Sequence, residues 1–349
     1  MKRLFPLLYS VLLALLSSCS SETFNDKYSS GVVMTVSDFY RTITIGNTTV
    51  WVTIDKENNK SMSFYDEPFY CEATGTGFFV DKNGLIATNA HNINPWYDYN
   101  EDSIKNVVKN IFLQKKDEAQ KVIDANNKQI AALDAKKILW QDESIDQAEA
   151  MAAINKFDDE IERYRRKNEN GYKAIIKLDS LLQQPISLGY DLSIYIIYNG
   201  DIVESEKDLY ECRVYRKDDF HDLALIKLAD DEETPKECAV LEIEEASSDN
   251  GVIEVDDVVY MIGFNEGEKL GETKEGYKSQ MTRGYVSQLT DETEFLYSIP
   301  TLNGSSGSPI LNKDGKVVGV HHAGYAFKQG FNYGIYSKWL KKLLRPLGI

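Results

Sequence analysis

Gly75-Thr76-Gly77-Phe78-Phe79-Val80-Asp81-Lys82-Asn83-Gly84-Leu85-Ile86-Ala87-Thr88-Asn89-Ala90-His91-Asn92-Ile93 reads as two strands folded back on a tight turn. Asp81 to Gly84 has the turn chemistry, and the runs on either side are β in character. His91 follows directly on the second strand. A histidine there can pack, cap a strand end or carry protons, because imidazole titrates near neutral pH.

Two stretches further along bear on that choice. Asp222-Leu223-Ala224-Leu225-Ile226-Lys227-Leu228 opens an apolar strand with an acid, and Asp218 and Asp219 lie close by without directly preceding the apolar run. Asn303-Gly304-Ser305-Ser306-Gly307-Ser308-Pro309 is a run of small residues whose backbone can fold tightly and approach a ligand. In such a loop the Ser306 hydroxyl can stand clear, while the N–H groups of Gly304 and Ser306 converge on one developing oxyanion. By itself the stretch also reads as a flexible Gly/Ser loop. The order of the three motifs is His, Asp, Ser, one of several orders in which such triads occur.

The frame from Gly75 to Ile93 resembles the histidine-bearing hairpin of trypsin-like serine proteases, in the bacterial HtrA and glutamyl-endopeptidase branches. The segments Val255–Phe264 and Met281–Ser287 resemble corresponding strands of the same branch. The resemblance covers roughly residues 32–95 and 188–344. It implies a mainly β chain of two antiparallel six-stranded β-barrels, 32–97 with 185–235 and then 236–349, closing on a short terminal helix; the peptide-binding module usual in HtrA proteins is expected to be absent. It also implies a serine endopeptidase with catalytic His91, Asp222 and Ser306, an oxyanion hole of Gly304 and Ser306, a protein or peptide substrate and no cofactor or metal. Ser305 stands where the family usually has Asp or Asn, and Ser308 where it often has Gly. Activation is expected through loop ordering rather than cleavage. In the glutamyl-endopeptidase branch the positions of Thr301 and His321 line the S1 pocket, which implies a P1 preference for Glu or Asp. A packed histidine in a pocket for small or apolar side chains is the rival reading. His221 reads as structural or surface. Two other functions stay open: a catalytically silent protease-like binding protein, and an esterase using the same triad.

Residues 98–184 interrupt the β pattern, with no proline between Pro95 and Pro185. Ile104, Val107, Val108 and Ile111 have helical spacing. Ile154, Phe157, Ile161, Tyr164, Ile175, Leu178 and Leu182 follow a heptad with Asn168 and Gly171 as its polar and small defects. An antiparallel helical hairpin is expected, turning near Gln141 to Ser144. Because it leaves the chain shortly after His91, it is expected beside the active-site cleft, restricting access or docking a protein partner. A solvated decoration is the plainer reading.

Lys2 and Arg3 followed by the apolar run Leu4 to Leu16 read as a targeting segment, 1–18, too short to span a bilayer comfortably. Leu16-Ser17-Ser18-Cys19 resembles the lipobox of bacterial lipoproteins, which implies lipidation at Cys19, a tether over 19–31, and an exported protein of the cell envelope, at the outer membrane from Ser20. Hydrophobic residues make up 42% of the 349-residue chain and charged residues 27%, ordinary for a globular protein. The net charge of −16 argues against nucleic acid and against adhesion to anionic lipid. Cys71, Cys212 and Cys238 remain after Cys19. They are too few for a disulfide framework, and none has the CxxC spacing of a zinc site.

Overall fold

A computed structural model of the chain describes residues 23–54, 62–141, 145–244, 253–324 and 330–345. Eight strands form the first sheet: β1 (Val32–Ile45), β2 (Thr48–Ile54), β3 (Met62–Tyr65), β4 (Cys71–Phe79), β5 (Leu85–Thr88), β6 (Ile186–Tyr198), β7 (Tyr210–Asp218) and β8 (Leu223–Leu228). Their order is β3-β2-β1-β4-β5-β8-β7-β6, and β1 also pairs with β6. Six strands therefore close a ring, and β2 and β3 extend from its β1 edge. The second half contains β9 (Val258–Gly263), the short pair β10 (Glu272–Thr273) and β11 (Gly276–Tyr277), then β12 (Gln280–Leu289), β13 (Glu294–Tyr297), β14 (Pro309–Leu311), β15 (Val317–Gly324) and β16 (Asn332–Tyr336). Of these, β12-β13-β16-β15-β14-β9 is a closed barrel. Two six-stranded antiparallel barrels with inserted helices are thus present, and ring closure removes edges that would otherwise pair with other chains.

Strands β5 and β8 read as continuous apolar runs because both of their faces are covered. Side chains alternate along a strand, so Phe78, Leu85, Leu223 and Leu225 join one buried cluster, while Phe79, Ile86, Ala224 and Ile226 join another. The first of these clusters also takes Ile262, Phe264, Val317 and Val320 from the second barrel. A third is drawn from the second barrel, with Val259, Met261, Phe295, Tyr297, Ile310 and Val318.

The chain divides into two compact units. One holds residues 1–39, 70–97 and 192–349; the other holds 40–69 and 98–191. In the second unit, Thr48–Ile54 pairs with the end of β1 and with β3. The same unit contains α2 (Glu101–Leu139) and α3 (Gln147–Leu182), numbered after α1 (Phe24–Tyr28). Asn100 caps α2 by accepting from Ser103 N, and Asp146 caps α3 by accepting from Ala148 N and Glu149 N. Asn126 donates to Asn168 across the pair (2.8 Å), and Asn168 donates to Asn127 (2.8 Å). Gly171 faces Ile123, where a Cβ would come within 3.0 Å of that side chain. Both heptad defects are therefore interface positions. The expected turn at 141–144 lies mostly outside the described residues.

Other expectations need correction. Residues 23–31 are not a loose tether: α1 starts with a capping box at Thr23, Ser29 and Gly31 are buried, and Tyr28 donates to the Asp314 carbonyl (3.1 Å). Phe24 and Tyr28 supply the apolar anchors there. Met62 to Tyr65, for which no strand is expected above, pairs with β2. Strand β6 begins at Ile186, six residues before the apolar run that signals it, because its first half is less buried. The polar loop 265–278 folds into α4 (Glu268–Gly271) and the β10–β11 pair. The terminal helix α5 (Ser337–Leu344) buries Leu340, Leu343 and Leu344. Cys71, Cys212 and Cys238 are all unbridged thiols.

Candidate active site

Each predicted catalytic residue sits where a strand ends. His91 lies in a short turn, Ala90–Asn92, just past β5. Asp222 directly precedes β8, the hydrogen-bonded neighbour of β5. The pairing of Thr88 with Ala224 brings the two strand ends level. His91 Nδ1 lies 2.7 Å from Asp222 Oδ2, and the His91 backbone N–H donates to Oδ1 (2.9 Å). Asn89 Nδ2 holds the Asp222 carbonyl (2.8 Å). These bonds hold Asp222 at φ 50°, in the left-handed region. Burial pushes the Asp222 carboxyl upward, but the nearby His322 ring and the hydrogen bonds from His91 outweigh it and leave the group below its ordinary range. It is an ionised acid at neutral pH, and its bond to Nδ1 leaves Nε2 as the other ring nitrogen of His91.

The serine loop reaches the same place through its backbone. The Ser306 carbonyl accepts from Thr76 N (2.8 Å) on β4 and from the side chain of Asn92 (3.0 Å), the residue after His91. Gly307 adopts φ 90°, and a Cβ on it would lie 2.0 Å from the Thr76 carbonyl, so only glycine fits. Ser306 Oγ makes no hydrogen bond to His91 among the described residues. In ligand-free sites this contact is often long and shortens when substrate binds.

The orientation of the Gly304 peptide is set two residues before Ser305. The Asn303 carbonyl is turned onto Glu266 N (2.5 Å), and Gly304 takes φ 88°. This turns the Gly304 N–H away from the Asn303 carbonyl across their shared peptide plane. Neither Gly304 N nor Ser306 N has an acceptor among the described residues. Thr76 Oγ1 donates to the Gly304 carbonyl (2.8 Å) and accepts from Phe264 N (3.0 Å). Ser305 is fully buried; its hydroxyl donates to Asn265 Oδ1 (2.5 Å) and accepts from Leu302 N (3.1 Å). A serine thus supplies the loop's internal clamp where the family usually has Asp or Asn. Thr76, Asn92 and Asn265 escaped the sequence reading. Only Thr76 carries a local signal, since it stands between Gly75 and Gly77 in a strand.

Thr301 and His321 are not hydrogen-bonded to each other. Thr301 Oγ1 donates to Asn332 (2.8 Å). His321 is 3% exposed, with Nδ1 2.7 Å from Tyr297 Oη and a second hydrogen bond to the Tyr333 backbone. Burial drives its pKa down to about 3, so the ring is neutral at physiological pH. His221 is buried, stacked on Trp339 at 3.8 Å and bonded to Asp218 (2.6 Å), a structural role. Cys19 lies outside the described residues.

Residues 191–320 match the family model of the trypsin-like peptidase domain. That supports a trypsin-like serine protease. The matched stretch takes in Asp222 and Ser306 and begins after His91. No curated protein matches the chain. Among solved structures, a serine endoprotease from Yersinia pestis is similar, with TM-score 0.43 and 14% identity. The match covers 93% of this chain and 66% of that one, so the chain spans just under two thirds of its length.

Proposed function

We propose that the chain is a serine endopeptidase in which Ser306 attacks the peptide carbonyl, His91 takes and returns the proton, and Asp222 orients the ring. A serine hydroxyl is a poor nucleophile at neutral pH and needs such a base. Asp222 fixes the imidazole tautomer and stabilises the imidazolium without taking the proton itself. The N–H groups of Gly304 and Ser306 stabilise the tetrahedral oxyanion, typically worth about 3–4 kcal/mol per donor. The observation carrying this reading is the pair of hydrogen bonds that Asp222 makes to the ring and main chain of His91, beside a serine loop tied to Asn92. A fluorophosphonate probe tests it. Labelling that maps to Ser306 and disappears in Ser306→Ala supports the enzyme; an unlabelled wild type favours a silent binding protein. Parallel assays with peptide and ester substrates separate the protease from the esterase.

An acidic P1 preference is the finer part of the proposal and rests on Thr301 and His321. A neutral His321 offers a substrate carboxylate no positive charge, and charge-assisted bonds are the strong ones. The preference is therefore modest, because the Thr301 hydroxyl and the His321 ring already have hydrogen-bond partners inside the fold. A P1 library measures it: several-fold faster cleavage after Glu than after Gln supports the preference, and equal rates remove it.

The protein is further proposed to be an exported lipoprotein of the bacterial cell envelope, anchored through Cys19. Incorporation of a fatty-acid analogue that is lost in Cys19→Ala supports this. For the helical insertion we propose a role in restricting access or docking a protein partner. Unchanged rates on folded proteins and on short peptides after replacing 98–184 by a linker would remove that role.

A further inference from the structure

One histidine has no part in the proposed mechanism and yet lies against Asp222. His322 stands on β15 where pairing with β16 slips: His321 opposes Gly334 and Ala323 opposes Tyr333, leaving His322 as the extra residue of a bulge. Bulges re-aim single side chains, often beside active sites. Here the bulge accompanies a ring with Nδ1 3.6 Å from Asp222 Oδ2 and Nε2 2.8 Å from Glu294 Oε2. The same Oδ2 is 2.7 Å from His91 Nδ1, so one carboxylate oxygen lies between two imidazoles.

We propose that His322 is a positioning residue whose positive charge, held by Glu294, competes with His91 for Asp222 and so sets the pH at which His91 becomes an effective base. The inference rests on the triad reading above.

The groups facing His322 come from every element packed around it. Glu294 lies on β13, Asp222 before β8, His91 after β5 and Tyr333 on β16, its ring 6.5 Å away; His321 is the neighbour on its own strand. Burial opposes charge on His322, but the nearby Asp222 carboxylate and the hydrogen bond to Glu294 outweigh it and hold the ring above its usual range. Two imidazolium charges sharing one carboxylate repel each other, so their titrations are coupled. While His322 is charged, the negative charge of Asp222 is divided between two rings. Removing that charge leaves Asp222 wholly to His91.

The test is an NMR titration of the full chain with labelled histidine, practicable because the chain contains only four histidines. Wild type, His322→Gln and Glu294→Gln are compared, alongside pH profiles of kcat/KM. His322 should titrate above about 6.5, the ordinary imidazole value, and lower in Glu294→Gln. In His322→Gln the His91 midpoint should rise, and the acid limb of kcat/KM with it. A His322 midpoint at or below the ordinary value, or a His91 midpoint unmoved by the substitution, overturns the proposal. If His322→Gln does not fold, Glu294→Gln carries the same test: unchanged midpoints for both rings overturn it. The titration reads the coupling without turnover. Coupled rings in a protein lacking Ser306-dependent hydrolysis would remove the protease reading and keep this one; uncoupled rings in an active enzyme would do the reverse.

Discussion

Asp222 occupies a backbone conformation that costs a non-glycine residue about 1–3 kcal/mol, and its neighbours hold it there. Such strain is sustained where geometry matters more than local comfort. Asp222→Asn keeps the size of the side chain but presents an amide to His91 Nδ1 and favours the wrong tautomer. Turnover should fall about ten-thousand-fold with little change in KM, measured by steady-state kinetics on a peptide substrate. His321 has a different consequence. Its folded-state pKa of about 3 lies below the unfolded value near 6.5, so its contribution to stability is complete above pH 6.5 and is lost as pH falls toward 3. Unfolding free energy should drop by up to about 1.4 kcal/mol per pH unit through that window. His321→Gln should flatten the slope in denaturant titrations; an unchanged slope would assign the acid sensitivity to another group.

His91, Asp222 and Ser306 were legible because each lies next to a strand or turn announced by its immediate neighbours. Thr76 was not, because its acceptor on Gly304 is 228 residues away in sequence. His322 was passed over for His321 for a similar reason. Spacing from Ser306 pointed to His321, whereas the side chain that reaches Asp222 depends on a bulge created only by pairing with β16. The barrels themselves were readable from strand runs and turns; the packing of α1 was not, since two aromatic residues in a polar segment give no periodic signal.

Among the elements, the helical hairpin is the one whose interior is least typical. The Asn126–Asn168 bond occupies a position where leucine would pack better, as polar pairs do when they fix the register of facing helices. Asn168→Leu alone strands the Asn126 amide and should cost about 1–3 kcal/mol. The double replacement Asn126→Leu, Asn168→Leu should recover most or all of that loss, at the expense of a unique alignment. A double-mutant cycle from thermal melts measures the coupling, and additive losses would show that the two amides act independently.

At the scale of the whole molecule, burial is unevenly distributed. The two long helices bury Ile104, Val108, Ile123, Leu133 and Ile161 as their apolar interior, whereas β5, β8 and the second half of β4 are almost wholly buried. Opening free energies follow buried apolar contacts. Amides within α2 and α3 should therefore exchange with solvent deuterium well before those of Phe78, Ile86 and Leu225. Simultaneous exchange would mean that the chain opens as one cooperative body.

The Asn303 carbonyl, bonded to Glu266, is not available to occupy the space in front of the Gly304 and Ser306 amides. A loop already set in this way has no rearrangement to complete before it can receive a tetrahedral adduct. A boronic acid added to the isolated protein should then bind in a single kinetic phase, without lag, at a rate proportional to its concentration. Saturation of that rate at high concentration would reveal a slow isomerisation ahead of capture, and would place control of the protein in the motion of this loop.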